Sequence, residues 1–480
     1  MQFTILSHAG LLVQDQGVSL VSDPWLRGSC YWRSWWNFPE APPELIANLQ
    51  PDYIYLTHLH WDHFHGPSLR HFDRETQMLV PLVHTRRMVK DLQDLGFRNI
   101  MEIPHGGKIK LGNNLFLYSF QFGITVDSAI VITNGETTLF NANDCKLFGL
   151  PLQQIKKRFP QIDFVFRSFS SASAIPYCIE DYQQRFGEFR SAAQYIQEFT
   201  EFSLTVGAKY AIPFASNHCF LHRETQEFNP TAVSPTAVAQ YCNQTSQVRG
   251  SSSQCVLMPP GSSWSDTQGF NLREFDYQQA DAYIAHLQEK YHLTLEKQYT
   301  KEAQVKPDYR AFERYFTALF RALPPGLPKI SRMTVLFHIY QQDNNYHHYW
   351  LLDFHHRKTV TLTEPIEATL TIKIPALVIN DCCRKRMFST WGPSKRLRIR
   401  LGQGASWVEV RVFLSLLDAW ENEYLPLWNH LRPRYLGIWL RRWREFVEAG
   451  RLVWRWRGRS LPVEELYRSR PPAPDILVTK

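Results

Sequence analysis

Apolar positions in the first part of the chain come in short runs that end at turns. Residues 3–6 and 10–13 are β-prone, 18–21 stops at Ser22-Asp23-Pro24-Trp25, and 53–56 is a further apolar run. A helical period takes over across 84–95 and is closed by Gly96. Strands return at 115–122, 129–133 and 138–140, with Asn134-Gly135 as a tight turn between the last two. Residues 162–166 and 210–213 read as buried strands on either side of a helix around 192–202. Strands first, then strands mixed with helices, predict a sandwich of sheets flanked by helices.

The pattern changes between about residues 225 and 275, where Ser, Gln, Asn, Thr and Pro dominate and a surface excursion or linker is expected. Beyond it, 308–322 reads as an amphipathic helix, and alternating strands follow at 332–340, 347–354 and 368–374. The order predicts a domain over 1–265, a linker over 266–306 and an α+β domain over 307–480. A length of 480 residues supports two domains, and 44% hydrophobic with 20% charged residues describes a chain that can bury full cores.

Near the end, residues 435–449 place Leu436, Trp439, Leu440, Trp443 and Val447 on one helical face, with Arg441, Arg442 and Arg444 mainly elsewhere. Leu452, Trp454 and Trp456 then alternate with arginine at the period of a strand. Such a basic amphipathic element can lie on an anionic membrane or bind nucleic acid, but packing of its aromatic face onto its own domain is the expectation. The net charge of +8 is concentrated near this end, which argues against a general nucleic-acid binder. No run approaches an integral membrane span, no export signal opens the chain, and the eight Cys are dispersed; together they suggest reduced thiols in a cytoplasm. The neighbouring pairs His347-His348 and His355-His356 are each expected to place one ring inside and one outside, as on a strand.

Chemistry concentrates where the 53–56 run ends. His58, His60, Asp62 and His63 lie within six residues. On an extended segment, residues two apart project to the same side, so His58 and His60 can grip one ion together. The following turn directs Asp62 and His63 to a neighbouring position for a second. Imidazole and carboxylate suit one or two divalent transition-metal ions, zinc being favoured over iron or manganese. A His-rich surface loop is the bland alternative. Trp25, Trp32, Trp35 and Trp36 surround a loop just before this segment. They either wall a substrate pocket or pack between domains.

The His-x-His-x-Asp-His spacing at His58, His60, Asp62 and His63 resembles the metallo-β-lactamase superfamily, over about the first half of the chain. That resemblance implies an αββα sandwich, followed here by the α+β C-terminal domain. It also implies that Asp144 bridges two ions and that His218, with His222 as rival, closes the site. The chain departs from the family in Gly123-Ile124-Thr125-Val126-Asp127-Ser128, where Ile124 stands in place of a histidine. Asp127 or His105 then becomes the substitute ligand, or a single ion is held. His8-Ala9-Gly10, Ser22-Asp23-Pro24-Trp25-Leu26, the 32–39 loop and Asp127-Ser128-Ala129-Ile130 are similar to the branch of lactonase-like enzymes and CMP-N-acetylneuraminate hydroxylase.

The resemblance first implies a hydrolase, with a metal-bound hydroxide attacking an ester, lactone, amide or phosphoester of a small molecule and Asp62 orienting the water. The hydroxylase branch implies instead an iron-dependent oxygenase with a Rieske cluster. Cys219-Phe220-Leu221-His222 has the spacing of one half of such a cluster, but no upstream Cys-x-His completes it, so an electron-transfer partner would be needed. A third reading is a non-catalytic binding module with a degenerate metal site.

Overall fold

The computed structural model describes residues 1–123, 127–186, 191–324, 332–341, 346–456 and 467. Two sheets lie at the centre of its first part. One has eight strands, ordered Gly269–Asn271, Ser263–Ser265, Gln2–Ile5, Leu11–Asp15, Val18–Ser22, Tyr53–Tyr55, Gln77–Pro81 and Ile100–Ile103. The other has seven, ordered Gln254–Cys255, Tyr210–Pro213, Phe164–Arg167, Thr138–Asn143, Asp127–Thr133, Phe116–Phe122 and Gly107–Lys110.

Period-two alternation explains why these strands bury both faces. Ile130 and Ile132 join Phe164, Phe166, Phe3, Ile5 and Tyr55 in the core between the sheets. Their neighbours Val131 and Val165 point the other way, onto Leu152 and Ile155 of helix Gly149–Arg158 and Phe199 and Phe202 of helix Ala192–Val206. On the far side, Val21, Ile54, Met78 and Val80 meet Met88, Val89 and Leu92 of helix Arg87–Asp94. The layers run helix, sheet, sheet, helix. Strands Val18–Ser22 and Tyr53–Tyr55 pair in parallel, so their C-terminal ends emerge together at one edge.

The polar stretch expected to be an excursion is folded. Helix Pro235–Val248 buries Val238, Cys242 and Ser246 and turns its Gln, Asn and Thr residues outward. Strand Ser263–Ser265 pairs with Gln2–Ile5. The stretch expected to be a linker, 266–306, contains helices Ala280–Lys290 and His292–Ala303. Their Leu287, Leu295 and Tyr299 close over Trp36, Phe38, Cys219 and Leu221. Few apolar residues per turn suffice because each helix buries only a narrow stripe, so composition alone resembles a loop.

The C-terminal part is an α+β unit with strand order Lys358–Leu362, His347–Asp353, Thr334–Tyr340, Leu370–Pro375 and Arg398–Leu401. Helices Tyr309–Ala322, Ala376–Lys385 and Trp407–Glu421 contribute Phe312, Val378 and Phe413 to a core over one face of the sheet. Trp25, Tyr31, Trp32 and Trp35 enter that same core, so the loop from the first part is packed between the two. His347, His348, His355 and His356 are all exposed, contrary to the one-in, one-out expectation, because this end of the sheet and the turn beyond it face solvent. Backbone at 452–456 continues helix Pro433–Trp456 rather than forming a strand. Residues 457–466 and 468–480 of the basic end lie outside the described residues.

One buried cation ties the parts together. Arg396 donates to Glu302 Oε2 (2.5 Å) and Oε1 (3.2 Å), to Glu224 Oε2 (2.6 Å) and to the Trp32 carbonyl (3.1 Å). Burial alone would raise the Glu302 carboxyl, but Arg396 outweighs it and holds it at about 2, against an ordinary 4.5. Replacing Arg396 by Ala removes the cation that Glu302 and Glu224 share and is expected to cost ~3–5 kcal/mol in chemical denaturation at neutral pH. Because the Glu302 value is depressed, its contribution is present above pH 4.5 and is lost as pH falls towards 2, so the gap between wild type and variant narrows over that window.

Candidate metal centre

The strand edge that collects side chains is organised by Asp23, a fully buried carboxylate directly after strand Val18–Ser22. Its Oδ1 accepts from the Thr57 amide (2.8 Å), and its Oδ2 accepts from Thr57 Oγ1 (2.7 Å), from His63 Nδ1 (2.9 Å) and from Asn143 Nδ2. A buried anion needs such partners, and four donors fill a carboxylate. The consequence passes to the imidazoles. With His63 Nδ1 donating to Asp23, His63 Nε2 is turned towards Asp144 and Asp62, each 3.2 Å away. Thr57 Oγ1, having given its proton to Asp23, accepts from His58 Nδ1 (2.9 Å) and frees His58 Nε2 in turn.

Two sets of three groups converge here. His58, His60 and Asp144 offer one ligand atom each within 4.8 Å of one another, and so do His8, Asp62 and His63. His58 Nε2 and His60 Nδ1 stand 2.8 Å apart. His8 Nε2 lies 3.1 Å from Asp62 Oδ2, yet neither His8 nitrogen has a hydrogen-bond partner among the described residues. Two imidazoles and one carboxylate converge in each group, with buried His8 nitrogens facing it, so the residues present fit a metal ion.

Electrostatics separate the three motif imidazoles. Burial, aided by the other imidazoles, lowers His58 well below an ordinary histidine, and burial lowers His60, which keeps both neutral. Burial would also lower His63, but Asp62 and Asp23 outweigh it and raise it well above the ordinary value. Burial would raise Asp62, but His63 and His8 hold it well below the carboxylate range. Opposite charges already crowd this centre before any ion is added.

Of the remaining candidates, His218 is 5.6 Å from His8 between ring centroids but lies flat on Trp35, at 3.5 Å and 5°. It stands outside both three-residue groups. His222 is drawn to Glu302, 3.7 Å away, at the buried Arg396 cluster and away from the motif. His105 Nδ1 accepts from the Gln121 amide (3.1 Å), and burial lowers it to about 4. It too stands outside both groups. Asp127 lines the same cavity as His58 and His60, while Ile124 lies outside the described residues. His8 was not anticipated as a metal-facing residue. Fifty residues separate it from the motif, and only the return of the first strand to the shared edge brings them together. Its side of the site is set by its own amide donating to Asn37 Oδ1 (3.1 Å) and its carbonyl accepting from Ala215 N (2.8 Å).

The two groups differ in access. His8, Asp62 and His63 are buried, whereas His60 and Asp144 are partly exposed. His58 and His60 open onto a cavity of 1280 Å³ between the two parts of the chain. Tyr31, Trp32 and Trp61 form an aromatic wall, and Met387, Phe388 and Trp391 of the C-terminal part stand opposite. Of the Trp loop, Trp32 faces the cavity, while Trp25, Trp35 and Trp36 are packed away. Trp35 Nε1 donates to the Pro393 carbonyl (2.8 Å) and Trp32 Nε1 to Asp381 (2.9 Å). Tyr31, Trp32 and Arg33 all have left-handed backbones, with φ of 53°, 54° and 62°. Side-chain-bearing residues pay for that conformation, which here aims the Tyr31 hydroxyl at Asp62 Oδ1.

Layers of helix, sheet, sheet and helix with a histidine-rich loop at the strand ends define the metallo-β-lactamase fold, and this chain has it. A Mycobacterium tuberculosis protein named for a Rieske 2Fe-2S iron–sulfur cluster is 32% identical over 257 residues, covering 50% of this chain and 48% of that one. Cytidine monophosphate-N-acetylneuraminic acid hydroxylase of Mus musculus is 28% identical over 152 residues, covering 30% and 26%. The chain thus spans about half the length, or less, of the curated relatives it matches. No protein-family model matches it. Among solved structures, CmlA, a diiron β-hydroxylase from Streptomyces venezuelae, aligns at a TM-score of 0.36 with 15% identity, covering 53% of this chain and 52% of that one. An isothiocyanate hydrolase from Delia radicum gut bacteria aligns at 0.39 with 15% identity, covering 55% and 99%.

Asp23→Ala, which removes the acceptor for His63 and Thr57 without touching a metal-facing atom, is expected to lower metal affinity ~10–100-fold in a direct titration. Unchanged affinity would show that the imidazoles are oriented by something else.

Proposed function

We propose that this chain is a metal-dependent oxygenase with a binuclear iron centre, acting on an anionic small molecule bound in the cavity between its two parts. The observation that carries the reading is the composition of the two ligand groups. Each offers two imidazoles and one carboxylate, and neither contains a thiolate. That set, with positions left open, suits non-haem iron. The names of the hydroxylase and Rieske relatives point the same way.

When bound at these residues, iron supplies dioxygen chemistry and zinc an acidified water, neither of which side chains provide alone. His58, His60 and Asp144 would hold the ion nearer the cavity, with His8, Asp62 and His63 around the inner one, and Asp127 would add a carboxylate from the wall. The chain itself does the rest. Tyr31 keeps its proton, because burial and then Asp62 raise it well above an ordinary phenol, so it remains a donor that fixes Asp62. Trp32 and Trp61 would wall the cavity that His60 lines. Arg27, Arg33 and Arg70 line the cavity with no ion-pair partner among the described residues, and they would draw an anionic group. All eight cysteines are buried, and His222 is engaged with Glu302, so reducing equivalents would come from a separate electron-transfer partner.

A hydrolase remains the second reading, favoured by one observation: Asp62 is held as a carboxylate at the heart of the site and can orient water. Metal analysis of protein purified without added metal separates the two. Iron in excess of zinc, with turnover that stops when oxygen is removed, is expected. Zinc alone, with hydrolysis indifferent to oxygen, would overturn the oxygenase reading. His60→Ala is expected to lose the outer ion and reduce turnover by at least ~100-fold in either case.

A further inference from the structure

Helix Pro433–Trp456 does not bury the apolar face that its sequence sets out. Leu436, Leu440, Trp443 and Val447, spaced by four, three and four residues, are exposed, Leu440 by 72% and Trp443 by 53%. The 3-10 turn just before the helix extends the strip with Trp428 and Leu431, exposed by 66% and 74%. The helix is not free to roll this face inward, because its opposite side is anchored. Tyr435 donates to the Glu423 carbonyl (3.0 Å), Arg442 to the Gly123 carbonyl (3.1 Å), and Glu448 accepts from the Leu150 amide (2.7 Å). Expectation and structure part here for an identifiable reason. Polar and charged residues at 442, 445 and 448 find buried partners on the metal-binding part, and the leucines and Trp443 are left outside.

Among the described residues, the exposed charges of this helix and of the turn before it have one sign. Arg432, Arg441, Arg444 and Arg451 are exposed and have no ion-pair partner among the described residues. The acids of this helix, Glu445 and Glu448, turn inward to Gly123 and Leu150. Proteins that stay in water rarely expose so continuous an apolar strip. An apolar stripe with Trp, flanked on its own helix by exposed arginines, matches the boundary between lipid headgroups and acyl chains.

We propose that this face docks on an anionic lipid bilayer, with the helix lying in the plane of the interface. Leu440, Trp443 and Val447 enter the acyl boundary, and Arg441 and Arg444 reach lipid phosphates. Nothing in the arrangement spans a bilayer: among the described residues no helix is long and apolar enough to cross one. A second copy of the chain fits less well, since pairing two such faces would bring their arginine rows together. Nucleic acid would neutralise the arginines but leave the leucines and Trp443 in water.

Flotation of the full chain with phosphatidylcholine vesicles, with or without phosphatidylglycerol, tests this. The chain is expected to float only with phosphatidylglycerol present, with a blue shift of tryptophan emission and weaker binding as salt rises. The double variant Leu440→Ser/Trp443→Ser is expected to bind more than about tenfold more weakly. The double variant Arg441→Gln/Arg444→Gln is expected to lose about 30-fold and to show a shallower salt dependence. All four positions are exposed, and unchanged thermal melting of each variant checks that folding is intact. Absence of binding to phosphatidylglycerol vesicles overturns the proposal, as does binding that neither variant weakens. It is equally overturned by a concentration-dependent dimer that the Leu440/Trp443 variant dissociates, or by nucleic-acid binding that the arginine variant abolishes, when vesicles are not bound.

Discussion

A single buried carboxylate sets the terms for the rest of this molecule. Asp23 stands at the end of one central strand, and its acceptors are filled by Thr57 after the next strand, His63 beyond the turn and Asn143 from the opposing sheet. An unpaired carboxylate at that depth would cost several kcal/mol, so the four bonds are not optional decoration on a preformed edge. They fix how the two sheets meet at this end. They also assign protons: His63 gives its Nδ1 proton to Asp23, and Thr57 passes the same constraint to His58. The requirement that closes the fold is thus the one that orients His63 and His58 at the candidate metal centre.

That economy explains what could be read in advance and what could not. Strands at 18–21, 53–56, 129–133 and 210–213 were legible because their apolar residues alternate or run together over lengths that only buried strands accept. The His58–His63 segment was legible because its ligands are local in sequence and geometry follows from spacing alone. His8 was not, since its place beside Asp62 depends on sheet order, which no local pattern carries. Trp35 stacking on His218 depends on a strand pairing between distant segments, His218 opposite Asn37 and Phe220 opposite Trp35. Helices Ala280–Lys290 and Pro235–Val248 were illegible for a different reason. Each buries one or a few apolar residues, so their composition matched a linker although their periodicity did not.

The C-terminal part is better regarded as one wall of the site than as an appendage. Tyr31, Trp32 and Trp35, which frame the metal-facing residues, bury themselves in its core rather than in their own. Arg396 reaches back to the Trp32 carbonyl, so the left-handed turn that aims Tyr31 is held from the other side of the interface. Removing that part would expose several large aromatic rings at once and release the turn, and with it the hydroxyl on Asp62. Loops at a catalytic edge are commonly held by the sheets beneath them; this one is held from above.

Asymmetry between the two ligand groups then follows from where each wall ends. His8, Asp62 and His63 are buried, with Trp25 and Trp35 packed against His8. His60 and Asp144 sit at the rim, where the cavity begins. An ion in the inner group would be the more enclosed of the two, while one in the outer group would stand nearer the cavity. The same argument places the arginines. Arg27, Arg33 and Arg70 line the cavity onto which His58 and His60 open, so under the proposed function an anion held there would lie on the side of the outer position. Division of labour between the two positions is therefore built in by burial, before the identity of either ion is considered.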